Sequence, residues 1–145
     1  MQPSENLVHP QSPVVVSIPG NARISITGRT NADFYQKVIL KEVEKDEYIF
    51  EGTGEGKAMT LAGGAESLSF DSTDKSALRT WTVDFQNSTT GPSGAFRASK
   101  VLRPIYKTVY DDKFKVRSME WEISSEDNED DDYNDAVIRI VANVD

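Results

Sequence analysis

Apolar residues in this chain recur at every second position, and that spacing leaves few folds open. Ala22, Ile24 and Ile26 alternate with Arg23, Ser25 and Thr27. Leu68 and Phe70 repeat the pattern, as do Trp81, Val83 and Phe85, and Ile138, Ile140, Ala142 and Val144. A period of two places successive side chains on opposite faces of an extended backbone, so one face can be dry and the other wet. Helical periodicity is scarce. The one charge-rich candidate, 36–47, carries Val38, Ile39 and Val43 and suits a strand better. Val14 to Ile18 is a β-branched run closed by the turn signal Pro19-Gly20-Asn21. Further candidate strands are 35–43, 47–51, 57–62, 66–71, 78–85, 94–101, 113–123 and 136–144. In 113–123 the phase changes, from Phe114 and Val116 to Met119, Trp121 and Ile123, which predicts a bulge near Arg117-Ser118. About nine or ten short strands with turns between them predict an all-β chain, an antiparallel β-sandwich.

The last strand, 136–144, has a second apolar pair, Val137 and Val141, on its other face. A strand dry on both sides is either central in a sheet or at a subunit interface.

The 145 residues fit one domain with a real core. Residues 1–13, with Pro3, Pro10 and Pro13, read as a polar N-terminal tail, and 14–145 as a single domain without linker or repeat. The absence of cysteine excludes disulfides, thiolate metal sites and a Cys nucleophile. The one histidine, His9, sits in the tail, which argues against a Ser-His-Asp triad or a multi-His zinc site. No apolar run approaches the ~20 residues of a membrane helix. Met1 to Glu5 lacks the blocks of a signal peptide. The expectation is a soluble protein without membrane insertion, cytoplasmic or exported without a classical signal.

The net charge of −8 is concentrated. Residues 126–135, Glu-Asp-Asn-Glu-Asp-Asp-Asp-Tyr-Asn-Asp, hold seven acids and no base, which leaves −1 for the rest. Nucleic acid is therefore not expected as a partner, because a phosphate backbone requires a basic footprint. Most acid blocks are solvated, disordered faces. This one lies between two strong strands, contains Tyr133 and ends abruptly in an apolar strand. Asp130, Asp132 and Asn134 share a parity, and Asp135 adds an oxygen at the turn into the strand. Short oxygen-tipped side chains this close repel by several kcal/mol unless a cation compensates. A hard ion taking six to eight oxygens in flexible geometry is Ca²⁺. An EF-hand does not fit: Asp135 stands where the sharp turn needs Gly, Val141 stands where a bidentate Glu is needed, and the flanks are strands. Glu126, Asp130, Asp132 and Asp135 carry more charge than one Ca²⁺ neutralises, so two ions sharing carboxylates fit better.

The run Ser125-Glu126-Asp127-x-x-Asp130-x-Asp132-Tyr133-Asn134-Asp135-Ala136-Val137 resembles the C-terminal signature of the calcium-mediated bacterial lectins typified by the fucose-binding lectin of Pseudomonas. Ile18 to Thr27, followed by Asn31, is similar to that family's first hairpin and its remote Asn ligand. Together 17–31 and 124–145 carry the resemblance; 35–120 does not align. The resemblance implies a calcium-dependent lectin binding mannose- or fucose-type sugars through two Ca²⁺ per subunit. It implies one ion held by Glu126, Asp130, Asp132 and Asp135, and the other by Asn31, Asp132, Asn134 and Asp135. A neighbour's terminal carboxylate, here Asp145, would complete the second, so a homodimer or higher homo-oligomer is expected. Sugar hydroxyls would replace water on both ions, with the ligands Asp132, Asn134 and Asp135 beneath them and Asp127 and Asp130 at sugar-contacting positions. Ala32-Asp33-Phe34 matches the segment that sets fucose against mannose preference, and its leading Ala is similar to the mannose-preferring members.

The chain departs from the family pattern in three places. Asn128 stands where the family has Gly, Asp33 and Phe34 replace small residues, and Asn143-Val144-Asp145 replaces the closing Trp-Pro-x-Gly. A purely structural calcium in a surface module is the alternative function.

Other features carry less. Asn87-Ser88-Thr89 is a glycosylation triplet of a kind common by chance. Gly52-Thr53-Gly54-Glu55-Gly56 lacks Walker register and reads as a hairpin turn. Trp81 and Trp121 read as core. An enzyme is not expected, because acids crowded into ten residues suit metal better than a separated acid and base.

Overall fold

The computed structural model describes residues 14–73, 77–126 and 135–144. It contains ten strands: β1 (Val14–Pro19), β2 (Ala22–Glu42), β3 (Glu47–Ala58), β4 (Ser67–Phe70), β5 (Leu78–Ser88), β6 (Arg97–Ala98), β7 (Lys100–Val101), β8 (Ile105–Tyr110), β9 (Val116–Glu126) and β10 (Ala136–Val144). Every pairing is antiparallel. Among the described residues no helix is long and apolar enough to cross a membrane.

One strand builds both layers of the sandwich. The first part of β2 pairs with β10 over Ala22–Thr30 and with β4 over Ile24–Thr27, and β10 continues the layer into β9, β8 and β7. Its second part, Tyr35–Glu42, pairs with β5, which leads to β1 and β6. β3 runs alongside both parts. Even-numbered residues of β2 face inward from Ala22 to Glu42 without a break in parity, apart from half-buried Phe34. An unbroken period of two keeps the apolar side chains of both parts on the inner surface.

The core is one cluster. Ile24, Ile26, Val38 and Leu40 of β2 meet Val14, Val16 and Ile18 of β1 and Trp81, Val83 and Phe85 of β5. Met119, Trp121 and Ile123 of β9 and Ile138, Ile140 and Ala142 of β10 complete it. Both tryptophans are thus core residues, as their pattern predicts. Each fully buried large apolar side chain stabilises the fold by about 1.5–3 kcal/mol relative to exposure. Gly28 allows the close approach of β2 to its neighbours: a Cβ there would lie 2.9 Å from Ile138 Cδ1 and 3.1 Å from Met59 Sδ. β10 is central, between β2 and β9, one of the two placements its doubly apolar pattern allows.

Several expected boundaries shift. The separate strands 22–27 and 35–43 are one continuous strand. The 57–62 segment is no strand of its own: Lys57 and Ala58 end β3, and Thr60 makes a lone bridge to Glu51. The 94–101 segment is two short pieces, β6 and β7. β8 was not expected, because Ile105, Tyr106 and Tyr110 are all exposed and its alternation carries no burial signal. The bulge near Arg117 is present: Val109 pairs with Ser118 and Tyr110 with Val116, which leaves Arg117 unpaired. Phe114, expected in that strand, instead sits in the Asp111–Lys115 turn with φ 63° and is 87% exposed.

Candidate functional site

Register brings three oxygen-bearing residues from distant parts of the chain to one corner of the sheet. Ala136 pairs with Thr30 on one side and Ser125 on the other. One step earlier, Asp135 lies opposite Asn31, whose N–H donates to the Asp135 carbonyl at 3.0 Å. On the β9 side Asp135 N–H donates to the Ser125 carbonyl at 3.0 Å, so Asp135 and Ala136 both face Ser125, and Glu126, the next residue, is in register with Lys100 of β7. The Ser125 hydroxyl ties the same corner by donating to the Ala136 carbonyl at 3.1 Å.

Parity sets the side. Thr30, Ser125 and Ala136 belong to the core-facing set, and Asn31 follows on the other side of β2; Asp135 lies at the bend before β10, and Glu126 closes β9. Directly opposed residues on one face of an antiparallel pair bring their Cβ atoms to ~4.5–5.5 Å. Glu126 is fully buried and Asp135 is 4% exposed. Two acids withdrawn from water at one corner of the sheet call for hydrogen bonds or positive charge around them, and Lys100 of β7 stands in register with Glu126. Carboxylate and amide oxygens are the donor set of a hard divalent ion, so the described part of the site fits Ca²⁺. Asn31 is aimed from β3, its Oδ1 accepting from Gly56 N–H at 2.8 Å. An amide oxygen can accept twice, so this bond orients the group and is compatible with ligation.

Of the residues singled out from sequence, Asn31, Glu126 and Asp135 are therefore brought together. Asp127, Asp130, Asp132, Asn134 and Asp145 lie outside the described residues. Ala32 is buried with its neighbours on the inner parity, while Asp33 is exposed.

The glycine-rich run of β3 is the feature sequence reasoning misread. Residues 52–56 form no hairpin turn but the bulged middle of a strand. Thr30 pairs with Lys57 and Asn31 with Glu55, so Gly56 is the extra residue. Its φ of 60° is left-handed, where glycine is at home. Ala32 then pairs with Gly54 and Gln36 with Gly52, which sets Asp33, Phe34 and Tyr35 against Thr53 alone. Glycine at alternate positions inside a strand is a bulge signal, and it was legible in the sequence.

Beyond this bulge the sheet carries an aromatic and cationic fringe. The Arg97 guanidinium lies 5.5 Å from the Phe34 ring centre, and Lys37 Nζ lies 4.5 Å from that of Phe96. Asn87 of the glycosylation triplet is fully buried. Its Nδ2 donates to Ser99 Oγ at 2.8 Å, and its Oδ1 accepts from Arg97 Nε at 3.0 Å. It is a structural amide with no room for a glycan.

At the far end of β2 a cleft of about 720 Å³ is lined by Glu42, Phe70, Leu78 and Arg79 among others. Arg79 Nε and Nη2 each donate to a Glu42 oxygen at 3.0 Å. These bonds hold the Glu42 carboxyl below its ordinary value of 4.5, against the opposing effect of burial.

Residues 16–143 match the model of the family described as fucose-binding lectin II (PA-IIL). Among solved structures, the C-terminal domain of the BC2L-C lectin from Burkholderia cenocepacia is 19% identical with a TM-score of 0.58, over 90% of this chain and 95% of that one. The Chromobacterium violaceum lectin CV2L, solved in complex with alpha-methyl-fucoside, is 18% identical with a TM-score of 0.60, over 90% and 96%. The Ralstonia solanacearum high-affinity mannose-binding lectin is 20% identical with a TM-score of 0.58, over 88% and 94%. At these identities the likeness is one of fold. No curated protein matches the chain.

Proposed function

The chain belongs to the fucose-binding lectin II (PA-IIL) family, and on that premise we propose that it is a calcium-dependent lectin for mannose- or fucose-type sugars. The observation that carries the proposal is the meeting of Asn31, Asp135 and the end of β9 at one corner of the sheet, with Asp135 and Glu126 both buried. In this reading Glu126, Asp130, Asp132 and Asp135 hold one Ca²⁺. Asn31, Asp132, Asn134 and Asp135 hold the other, with Asp145 of a neighbouring copy in a homodimer. When bound, the ions supply Lewis-acid contacts for vicinal sugar hydroxyls. The chain's part is to fix the oxygens in advance: the β10 ladder sets Asp135, the end of β9 sets Glu126, and Gly56 N–H aims Asn31. Carboxylates beside the ions, Asp127 and Asp130 among them, accept hydrogen bonds from the same hydroxyls. Charge-assisted bonds of that kind are about twice as strong as neutral ones. The names of two relatives, one solved with a fucoside and one called mannose-binding, support the choice of sugar class.

The test is a thermal melt in three steps: chelator, then CaCl₂, then CaCl₂ with methyl fucoside or methyl mannoside. A ligand that binds the native state raises the melt by mass action. A lectin gains stability at both additions. A gain with calcium alone favours the structural-calcium alternative, and no gain at either step overturns the proposal.

A further inference from the structure

We infer that Thr53 is a positioning residue that sets sugar preference by clamping the backbone of Ala32, Asp33 and Phe34, an inference that rests on the lectin reading above. The two bulges leave Thr53 alone opposite Asp33, Phe34 and Tyr35. Its hydroxyl lies 3.3 Å from the Ala32 carbonyl oxygen, 3.0 Å from that of Asp33 and 3.4 Å from that of Phe34. Three carbonyl dipoles thus converge, negative end inward, on a group with a single proton. Convergent carbonyls repel, and that proton is the positive charge among them.

The clamp has a second jaw on each side. Gln36, fully buried, donates through Nε2 to the Phe34 carbonyl at 3.0 Å and so ties the far end to the core. Gly56 N–H holds the Asn31 amide oxygen at 2.8 Å and ties the near end. The stretch between them follows directly on Asn31, so its path decides what a sugar beside that residue meets. Thr53 is exposed. Replacing its hydroxyl by a methyl group therefore leaves the core packing untouched, removes the donor and sets an apolar group against the same carbonyls, whereas Thr53→Ala removes the donor without that contact.

The experiment compares the full chain with Thr53→Val and Thr53→Ser in saturating CaCl₂, by calorimetric titration of methyl fucoside and methyl mannoside and separately of calcium. Thr53→Ala removes the same donor with a smaller side chain and serves as a second variant. Loss of the donor is expected to change the fucoside-to-mannoside ratio of dissociation constants by about fivefold, the scale of one hydrogen bond. Calcium affinity should hold within about twofold, and Thr53→Ser should restore the wild-type ratio. An unchanged ratio in both donor-less variants overturns the inference alone. So does an equal weakening of both sugars and calcium, which marks a merely structural residue. A wild-type chain that binds neither sugar overturns the lectin reading and this inference with it.

Discussion

The two ends of β2 both bury carboxylates, and they treat them differently. At one end Glu42 receives two hydrogen bonds from Arg79, a counter-charge supplied by the neighbouring strand. At the other, Asp135 lies opposite Asn31 and bonds through its N–H to Ser125, while buried Glu126, the next residue of β9, is in register with Lys100 of β7. The first arrangement closes its own electrostatics and belongs to the fold. The second gathers two buried acids and an amide at one corner of the sheet, the donor types that the proposed function assigns to calcium. The contrast teaches that burial of an acid says little by itself; what is gathered around its oxygens separates structure from site.

The contrast can be broken most forcefully at Arg79. Arg79→Met leaves Glu42, whose side chain is 8% exposed, with the more distant Lys45 at 3.8 Å as counter-charge, and should cost up to about 3 kcal/mol of stability. Denaturant melts should show the same loss with chelator and with calcium. Asp135→Asn should do the reverse. It should abolish the calcium-dependent gain, which for wild type at a hundredfold excess over the dissociation constant is about 2.7 kcal/mol, and thermal melts with and without CaCl₂ would read it.

Acid sharpens the comparison further. The carboxyl of Glu42 is held low chiefly by its hydrogen bonds to Arg79, so its contribution is fully present above 4.5 and fades as pH falls through its lowered folded value. Chelated wild type should therefore lose stability more steeply below pH 4.5 than Arg79→Met does. Equal slopes would mean that the pair is idle. The smallest effect belongs to the open face of the sheet, where Arg139, 57% exposed, meets Glu120 at 2.6 Å. Arg139→Gln should shift the melt by less than about 1 kcal/mol, with or without calcium.

How far the chain could be read in advance follows the same physics. Strands with one dry face were legible, because burial imprints a period of two: β1, the outer parts of β2, β5 and β10 all follow it. β8 was not, since a strand exposed on both faces leaves no such imprint. The middle of β2 was hidden by Gly28 and Thr30, small or polar residues that are nonetheless buried. For the site, the acidic block is the basis of the calcium proposal, but composition alone could not place Asn31 beside Asp135. That meeting depends on register between strands far apart in sequence, and only the family resemblance anticipated it. Thr53 was passed over because its glycine neighbours read as a turn.

The corner of Asn31, Asp135 and Glu126 closes only when β10 has slotted between β2 and β9. That step joins segments from opposite ends of the described chain, and such long-range pairings form slowly because a large loop must be ordered first. A chain caught before it would own every ligand residue yet have no place for them to converge. On the proposed function, the lag of calcium uptake behind collapse during refolding would time the docking of β10 between β2 and β9.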